Sequence, residues 1–304
     1  MFLAVVWLHN IAALSQCISI FKVHLRRRAI NFSPIKNMLS VGIIGLGTIG
    51  SVVSKALDHG IVGMTLTAIA SGRRDKAKAD IAKLSVPVSL MTIDEVTECC
   101  DIIVDCAPKS VFRDIAVAAL SRGRILVTVS GAGILANEDI EQIAKENGGQ
   151  LILATGALLG LDAVRAAAEG TINSVRMITR KPPNALAGAP HIINNGISLD
   201  GLNGAIQVFK GSAREGAKAF PANVNVAAAL GLAGIGADET ELEVWADPHL
   251  NRNTHSIEVD SDSAKFSLQI ENVQSESNPG TGKITALSVI ACLRGMTMPM
   301  KIGS

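Results

Sequence analysis

One polar stretch in the second half of the chain concentrates side chains that could transfer protons. It runs from Ala246 to His255, reads ADPHLNRNTH, and lies between two segments that alternate like strands. His255 is the best candidate for an acid–base group, because an imidazole titrates near neutral pH. Arg252, or Arg180 earlier in the chain, could bind a substrate carboxylate through two hydrogen bonds. A histidine at the start of a strand can also be purely structural, and His249 competes for the role, so spacing alone leaves the assignment open.

A second group of residues could bind the phosphates of a dinucleotide. The sequence VGIIGLGTIG, from Val41 to Gly50, has an apolar run before its glycines and apolar residues at helical spacing after them. In a G-x-G-x-x-G turn, Gly45 allows the tight bend, Gly47 admits the pyrophosphate, and Gly50 lets helix and strand approach. The phosphates would then lie at the positive end of the helix, although an ordinary βα turn can contain the same glycines. The cofactor residues predicted here are Gly45, Gly47, Thr48, Ile49 and Gly50.

The end of the second predicted strand indicates which dinucleotide is favoured. The strand Met64 to Ile69 is followed by ASGRRD, where dinucleotide-binding folds place the group that meets the adenosine ribose. An acidic side chain there would accept hydrogen bonds from both ribose hydroxyls and favour NAD. Here Ser71 precedes Arg73 and Arg74, which suits a 2′-phosphate. We therefore expect NADP, or the use of both cofactors, unless the arginines are only the solvated start of the next helix.

The elements that must position the cofactor residues alternate between strand and helix from Ser40 onward. Strand-like and helical segments follow one another at Asp101–Pro108, Asp114–Leu120, Ile125–Val129, Glu138–Glu146 and Gln150–Ala154. This order predicts a doubly wound parallel sheet of the Rossmann type, with its ligand edge at the carboxyl ends of the strands. The turns at that edge add Ala107, Pro108 and Ser130 to the predicted cofactor site.

After Gly156 the pattern changes, which indicates a second domain. Helices are predicted at Leu161–Glu169 and Val226–Leu232, on either side of a strand at Ser174–Thr179 and a loop rich in glycine and asparagine. Three further strands are predicted at Glu241–Trp245, Ser256–Val259 and Phe266–Ile270. Strands in succession without helices between them predict an α+β domain with a mixed sheet.

Four segments should therefore divide the chain. We expect a dinucleotide-binding domain at 38–156, a substrate and catalytic domain at 157–280, and a C-terminal segment at 281–304 whose helix packs back on the first domain. Residues 1–37 form a leader with an apolar run and a basic flank, which could anchor a membrane. Because His9, Asn10 and Gln16 interrupt the apolar run, a misassigned start or a disordered extension is favoured over an anchor.

The composition argues against several classes of function. A net charge of +1 gives no electrostatic case for nucleic acid or for an anionic membrane surface. The five cysteines include no C-x-x-C pair and have no histidine nearby at metal-ligand spacing. We therefore expect neither a metal site nor a disulfide framework, and a reducing cytoplasm fits the chain better than an oxidising compartment.

Six groups of residues, in order along the chain, resemble the L-aspartate dehydrogenase family. They are GLGTIG (45–50), ATGALLGLDAVRAA (154–167), TRKPP (179–183), FPANVNVAAALGLAG (220–234), ADP with RNTH (246–248 and 252–255), and IEN with NP (270–272 and 278–279). Many enzymes share the glycine motif, whereas RNTH and FPANVNVAAA together are specific. The resemblance extends from about Met38 to the C-terminus and leaves only the leader uncovered.

The resemblance implies an NAD(P)-dependent dehydrogenase of Rossmann plus α+β architecture, commonly a homodimer. Such enzymes interconvert L-aspartate with iminosuccinate, which hydrolyses to oxaloacetate and ammonia. It further implies that His255 of RNTH is the acid–base group and that Ala157 and Asn225 contact the cofactor. The same motif adds Asn253 and Thr254 to Arg180 and Arg252 as candidate substrate residues.

Two alternatives stay open at this point. Fold does not fix substrate, so the chain could be an NADP-dependent dehydrogenase of another amino acid or 2-oxo acid. It could also be a catalytically silent protein that binds NADP. The segment Ser71 to Arg74 departs from the acidic residue found in many family members, which puts a strict preference for NAD in doubt.

Overall fold

The first of two large sheets is parallel throughout. The computed structural model describes residues 38–221, 224–276 and 278–303, and the 1–37 leader lies outside these residues. The strands of the first sheet are β1 (Leu39–Ile44), β2 (Met64–Ala70), β3 (Ser89–Met91), β4 (Ile102–Asp105), β5 (Ile125–Thr128) and β6 (Gln150–Leu153). Their order is β3-β2-β1-β4-β5-β6, so the chain starts in the middle and winds outward in both directions. The predicted Rossmann-type sheet is confirmed.

Helices cover both faces of this sheet. They are α1 (Thr48–Asp58), α2 (Arg74–Ile81), α3 (Ile93–Cys99), α4 (Phe112–Leu120), α5 (Gly131–Leu135) and α6 (Ile140–Asn147). On one face, Val53 and Leu57 of α1 pack against Val41 and Ile43 of β1 in one hydrophobic core. On the opposite face, α4 and α6 pack against the sheet in a second core. Strands buried on both faces need continuous apolar runs, which explains why β1 and β4 read as such in the sequence.

The second sheet is mixed, as the succession of strands predicted. Its strands are β7 (Ile172–Lys181), β8 (Ile206–Ser212), β9 (Glu241–Ala246), β10 (Thr254–Ser261) and β11 (Lys265–Glu271), in the order β11-β10-β7-β9-β8. Only β7 and β9 run parallel, and the other neighbours are antiparallel. Helices α7 (Leu161–Ala168), α8 (Pro190–Asn194), α9 (Ala213–Ala219) and α10 (Asn225–Ala233) accompany this sheet. Its apolar face packs against α7, α9 and α10.

Strand alternation divides the second sheet into two faces with different roles. Along β7, Val175, Met177, Thr179 and Lys181 are buried, whereas the residues between them are more exposed. The buried series continues toward the end of the strand with polar side chains instead of apolar ones. The face that forms the core therefore also forms the wall of a polar site at its edge.

Three elements occupy a region that the sequence predicted as loop. They are α8, β8 and α9, and the Ser212 and Glu215 side chains form a reciprocal capping box at the start of α9. The small strands β12 (Gln274–Ser275) and β13 (Asn278–Gly282) then lead into the last helix, α11 (Lys283–Thr297). Val289 and Leu293 of α11 belong to the same core as Val53 and Leu57 of α1. None of the helices in the described ranges is long and apolar enough to cross a bilayer.

Candidate functional site

A cavity of about 140 Å³ lies between the carboxyl edge of the first sheet and the polar end of the second. Its walls come from the turns after β5 and β6, the end of β7, the start of β10, and the first turns of α10 and α11. The residues that line it include Ile49, Gly156, Ala157, Lys181, Asn225, Asn253, His255, Asn272 and Gly282. The cavity therefore joins predicted cofactor residues to the predicted acid–base residue.

His255 lies directly opposite Thr179 in the antiparallel pair of β10 and β7. Its Nδ1 lies 3.1 Å from Thr179 Oγ1, which leaves Nε2 as the ring nitrogen that can exchange a proton with a ligand. The side chain is 3% exposed. Burial, reinforced by the positive charge of Lys181, lowers the pKa of His255 to about 3. The imidazole is therefore neutral at ordinary pH in the ligand-free protein.

Lys181 follows Thr179 on the same face of β7 and is 4% exposed. Burial lowers the pKa of its ammonium group to about 8, so the group is still mostly protonated at neutral pH. A buried cation in a polar cavity is suited to bind a carboxylate. Sequence reasoning missed this residue, although it stands two positions after the strand partner of His255 and inside the TRKPP motif.

Two predicted substrate residues lie on the opposite face of the same sheet. Arg180 and Thr254 alternate with the cavity-facing residues, so strand geometry directs them away from His255. The Arg180 guanidinium lies over the Trp245 ring, 5.3 Å from its centroid, and 3.7 Å from Asp247. Arg252 is half-buried in the preceding turn and does not line the cavity. Of the four candidates, the structure brings only Asn253 to the cavity.

Two asparagines at the cavity wall carry amide oxygens without a partner. Asn253 and Asn272 are 7% and 4% exposed, and the Oδ1 atom of each accepts no hydrogen bond from the described residues. The two residues are adjacent across β10 and β11, because the Asn272 N–H donates to the Asn253 carbonyl at 2.9 Å. Asn272 Nδ2 donates to the Ala157 carbonyl at 3.4 Å. Asn272 stood in the IEN motif, but no role followed from its sequence position.

The glycine turn has the geometry that a pyrophosphate requires. Gly45 has a φ of +97°, and a Cβ there would lie 2.5 Å from the Cys106 carbonyl oxygen. A Cβ on Gly50 would collide with the carbonyl oxygen of Gly45. A Cβ on Gly47 would have no heavy atom within 4 Å, so the space in front of α1 is open. Gly47 also caps α1 without a side chain, which leaves first-turn N–H groups directed toward that space.

Hydrogen bonds hold the neighbouring turns at the same edge of the sheet. The buried Asp105 carboxylate accepts from Ala107 N at 3.1 Å and from Thr128 Oγ1 at 2.8 Å, and burial raises its pKa to about 6. Ser130 N donates to Thr128 Oγ1 at 3.0 Å. Pro108 precedes the short 3₁₀ turn at Lys109–Val111. These contacts fix the backbone of the turns that carry the predicted cofactor residues Ala107, Pro108 and Ser130.

The remaining cofactor candidates lie at the two ends of this edge. Asn225, at the start of α10, accepts a hydrogen bond from Ala132 N at 3.2 Å and lines the cavity with Ala157 and Ile49. Ser71 and Arg73 lie at the tip of β2, where Arg73 N donates to Ser71 Oγ at 3.3 Å. The guanidinium of Arg73 is exposed and is therefore accessible to a ligand phosphate.

Comparisons with known proteins agree with this arrangement. A family model described as "Aspartate dehydrogenase, C-terminal" matches residues 162–296, and another described as "Homoserine dehydrogenase, NAD binding domain" matches residues 45–154. The crystal structure of aspartate dehydrogenase from Thermotoga maritima has a TM-score of 0.67 at 24% identity, over 87% of this chain and 99% of that one, and shows a shared fold.

Two curated relatives are closer in sequence. The L-aspartate dehydrogenase of Bradyrhizobium diazoefficiens is 51% identical over 88% of this chain and 94% of its own. L-aspartate dehydrogenase 3 of Bordetella bronchiseptica is 47% identical over 88% of this chain and 98% of its own. Because these matches span nearly all of both relatives, the chain belongs to the L-aspartate dehydrogenase family.

Proposed function

We propose that this protein catalyses the NAD(P)-dependent oxidation of L-aspartate to iminosuccinate, which hydrolyses to oxaloacetate and ammonia, and the reverse reductive amination. One observation carries the proposal: a neutral histidine, His255, and a buried lysine, Lys181, open into one cavity with the cofactor-side residues Ala157 and Asn225. A dicarboxylic amino acid needs a base for its ammonium group and a cation for a carboxylate. The cavity supplies both within a single wall.

The cofactor site proposed here follows the carboxyl edge of the first sheet. Gly45, Gly47 and Gly50 with the N-terminus of α1 would hold the pyrophosphate, and the turns at Ala107, Ser130 and Ala157 would hold the nicotinamide half. When bound there, the nicotinamide supplies the two-electron redox chemistry at the substrate Cα. The protein supplies position and electrostatics, because the turns are already fixed by their own hydrogen bonds.

His255 acts on two protons in this proposal. Oxidation requires the neutral amine, so His255 Nε2 first takes a proton from the substrate ammonium. After that proton has been released to solvent, the same nitrogen removes a proton from the water that attacks the imine in the hydrolytic step. Burial is the larger cause of the low pKa of His255, and the positive charge of Lys181 adds to it; a substrate carboxylate beside Lys181 would offset that second contribution. Substrate binding would therefore raise the affinity of His255 for a proton at the step that needs it.

NADP is the cofactor we propose as preferred. The tip of β2 carries Ser71 and an exposed Arg73 where NAD-specific folds carry a carboxylate. The Arg73→Ala variant should weaken NADPH binding by about tenfold or more and leave NADH binding nearly unchanged. Lys76→Ala, on the exposed side of α2, is the matched control. Equal losses for both cofactors in Arg73→Ala would remove the basis of this preference.

We also propose a homodimer in the cytoplasm. The face of the second sheet opposite the cavity carries the half-buried residues Ile178 and Trp245, beside ion pairs of Arg176 with Glu241 and Glu243. A surface that carries both signs of charge can meet a second copy of itself across a two-fold axis. The four cysteines of the described part are free thiols, as in a reducing compartment. Sedimentation of the purified protein would detect the dimer, and a monomer at micromolar concentration would contradict it.

A substrate panel separates the proposed function from its alternatives. Cofactor oxidation would be followed with oxaloacetate plus ammonia, pyruvate plus ammonia, and 2-oxoglutarate plus ammonia. We expect rapid oxidation with oxaloacetate plus ammonia only. A preference for another 2-oxo acid would reassign the substrate, and cofactor binding without any turnover would indicate a silent binding protein.

A further inference from the structure

The unpartnered amide oxygens of Asn253 and Asn272 mark a part of the cavity that the acid–base chemistry does not use. Both side chains are more than nine-tenths buried, and both Oδ1 atoms lack a donor among the described residues. A buried acceptor without a donor costs free energy, so such atoms are rarely left unsatisfied in folded proteins. Two of them in one cavity could both accept hydrogen bonds from N–H groups of a bound ligand.

Hydrogen bonds fix the backbones of both residues relative to each other and orient the side-chain amide of Asn272. The backbone hydrogen bond from Asn272 to Asn253 makes the two residues neighbours at the ends of β10 and β11. The bond from Asn272 Nδ2 to the Ala157 carbonyl orients that amide, so its oxygen is the free end. Gly282 lies close to this oxygen, and a Cβ at position 282 would crowd it at 3.0 Å.

The acceptors and the cation of the cavity fit different parts of one ligand. Lys181 can donate to a carboxylate, whereas the asparagine oxygens can only accept. An ammonium group offers three N–H donors, and the protonated imine formed with ammonia offers two. A ketone oxygen offers none, and a hydroxyl offers one. Two acceptors on one cavity wall therefore match nitrogen at the reacting carbon better than oxygen.

We propose that Asn253 and Asn272 bind the amino or imino nitrogen of the substrate and make the enzyme select the imine over the ketone. This inference rests on the proposed function and adds the group that distinguishes an amino-acid dehydrogenase from a hydroxy-acid dehydrogenase. A ketone bound in the same pose would face two acceptor oxygens with its own acceptor oxygen, and both amides would stay unsatisfied. Reduction of oxaloacetate to malate is thereby suppressed.

The test compares two reductions of oxaloacetate by the same enzyme. Reduction with ammonia gives L-aspartate, reduction without ammonia gives malate, and the ratio of the two kcat/KM values measures the selectivity. Asn272→Leu and Asn253→Leu remove the acceptors in nearly the same volume, and each should lower the ratio by about tenfold or more. Asn251→Leu, at an exposed position two residues from Asn253, should leave the ratio unchanged.

The Asn272→Asp variant separates the acceptor role from a structural role. It keeps oxygen acceptors but loses the donor to the Ala157 carbonyl, so it should retain amine selectivity. Equilibrium binding gives a second readout: the leucine variants should lose affinity for L-aspartate but not for succinate, which has no substituent at the reacting carbon. Cofactor affinity should stay close to that of the wild type in every variant.

The outcomes distinguish this inference from the proposed function. If the wild type does not aminate oxaloacetate, the proposed function fails. If the wild type aminates oxaloacetate and the leucine variants keep its selectivity and its affinity for L-aspartate, the nitrogen subsite fails. Loss of selectivity in Asn272→Asp as complete as in Asn272→Leu would also overturn it, since the acceptor would then not be the cause.

Discussion

At the scale of single residues, strand β7 decides what His255 can do. Thr179 and Lys181 occupy alternate positions on the cavity face of β7, so Thr179 orients the imidazole, and Lys181 adds to the effect of burial in keeping it neutral. The hydrogen bond at Nδ1 directs the proton exchange to Nε2. A mobile histidine could not serve the amine and the water at one position, whereas this one is held by its partner strand.

Replacing His255 by alanine should reduce turnover by about 10²-fold or more, because general acid–base groups contribute in that range. Cofactor affinity should stay close to that of the wild type, since the imidazole bonds to Thr179 and not to the glycine turn. Steady-state kinetics and a cofactor titration measure the two quantities. His249→Ala is the matched control, because His249 is exposed and its Nε2 lies near the Asn203 carbonyl. Turnover as high in His255→Ala as in His249→Ala would disprove the assignment.

Thr179 is a positioning residue in this account, and its hydroxyl is the feature that matters. Thr179→Val keeps the shape but removes the partner of His255 Nδ1, so kcat should fall while cofactor affinity is kept. Thr179→Ser restores the hydroxyl and should recover most of the lost rate. The pH dependence of kcat provides the decisive readout, since only the valine variant should shift it. A purely structural role for Thr179 would change the stability of both variants without changing the pH profile.

At the scale of elements, the turn between β1 and α1 contains two glycines that the fold requires and one that it does not. Gly45 and Gly50 are required by the backbone itself, because added Cβ atoms would meet carbonyl groups. Gly47 faces open space, so the fold does not need a glycine there. In the proposed cofactor site, this open space is where the pyrophosphate would lie.

This difference predicts opposite results for two alanine substitutions in one turn. Gly47→Ala should fold with nearly unchanged stability and lose cofactor affinity by about tenfold or more, since its methyl group occupies the pyrophosphate space. Gly50→Ala should lower the free energy of unfolding in the absence of cofactor, because the helix must move away from Gly45. Denaturant unfolding and cofactor titration of both proteins check this. Normal cofactor affinity in Gly47→Ala would show that the phosphates lie elsewhere.

The sequence predicted most elements, and the misses have physical causes. Apolar runs and helical periodicity located the parallel sheet, because its strands are buried on both faces. β8 was missed because glycine, lysine and glutamine interrupt its apolar alternation. β10 begins at Thr254 rather than Ser256, since pairing with β7 and β11 extends beyond the apolar residues. Propensity cannot detect a strand end that exists only through its partners.

At the site, too, sequence patterns could not show which residues long-range strand pairing brings together. The RNTH motif located His255 and Asn253, but Arg180 and Arg252 were chosen by charge type alone. Because side chains alternate along a strand, Arg180 and Lys181 point to opposite faces of the sheet. Which of the two faces the cavity could be decided only once Thr179 was known to pair with His255. Asn272 depends on a pairing between distant segments that single-sequence patterns do not contain.

At the scale of the whole molecule, the buried titratable groups make stability depend on pH. The pKa of His255 is lowered to about 3 in the folded protein, whereas an unfolded chain would protonate it near 6.5. The unfolded state therefore binds the proton first as the pH falls, and this group destabilises the fold between those values. Asp105 acts in the opposite direction, because its pKa is raised to about 6 and the folded state is the first to bind its proton.

The contribution of His255 can be isolated by substitution. As the pH is lowered from 6 to 4, the free energy of unfolding should decrease more steeply in the wild type than in His255→Asn. The two slopes should differ by up to about 1.4 kcal/mol per pH unit. Both proteins retain Asp105, so its opposing contribution cancels in the difference. Denaturant unfolding at several pH values gives the two slopes. Parallel slopes would mean that His255 is protonated as readily in the folded protein as in the unfolded chain.

The central claim is that this cavity oxidises L-aspartate with His255 as the base. The most direct measurement is the stoichiometry of the oxidative reaction with L-aspartate and the oxidised cofactor. We predict equal amounts of reduced cofactor, ammonia and oxaloacetate from the wild type, and almost none from a His255→Ala protein that still binds the cofactor. No cofactor reduction that depends on L-aspartate, or full product formation by His255→Ala, would contradict the account.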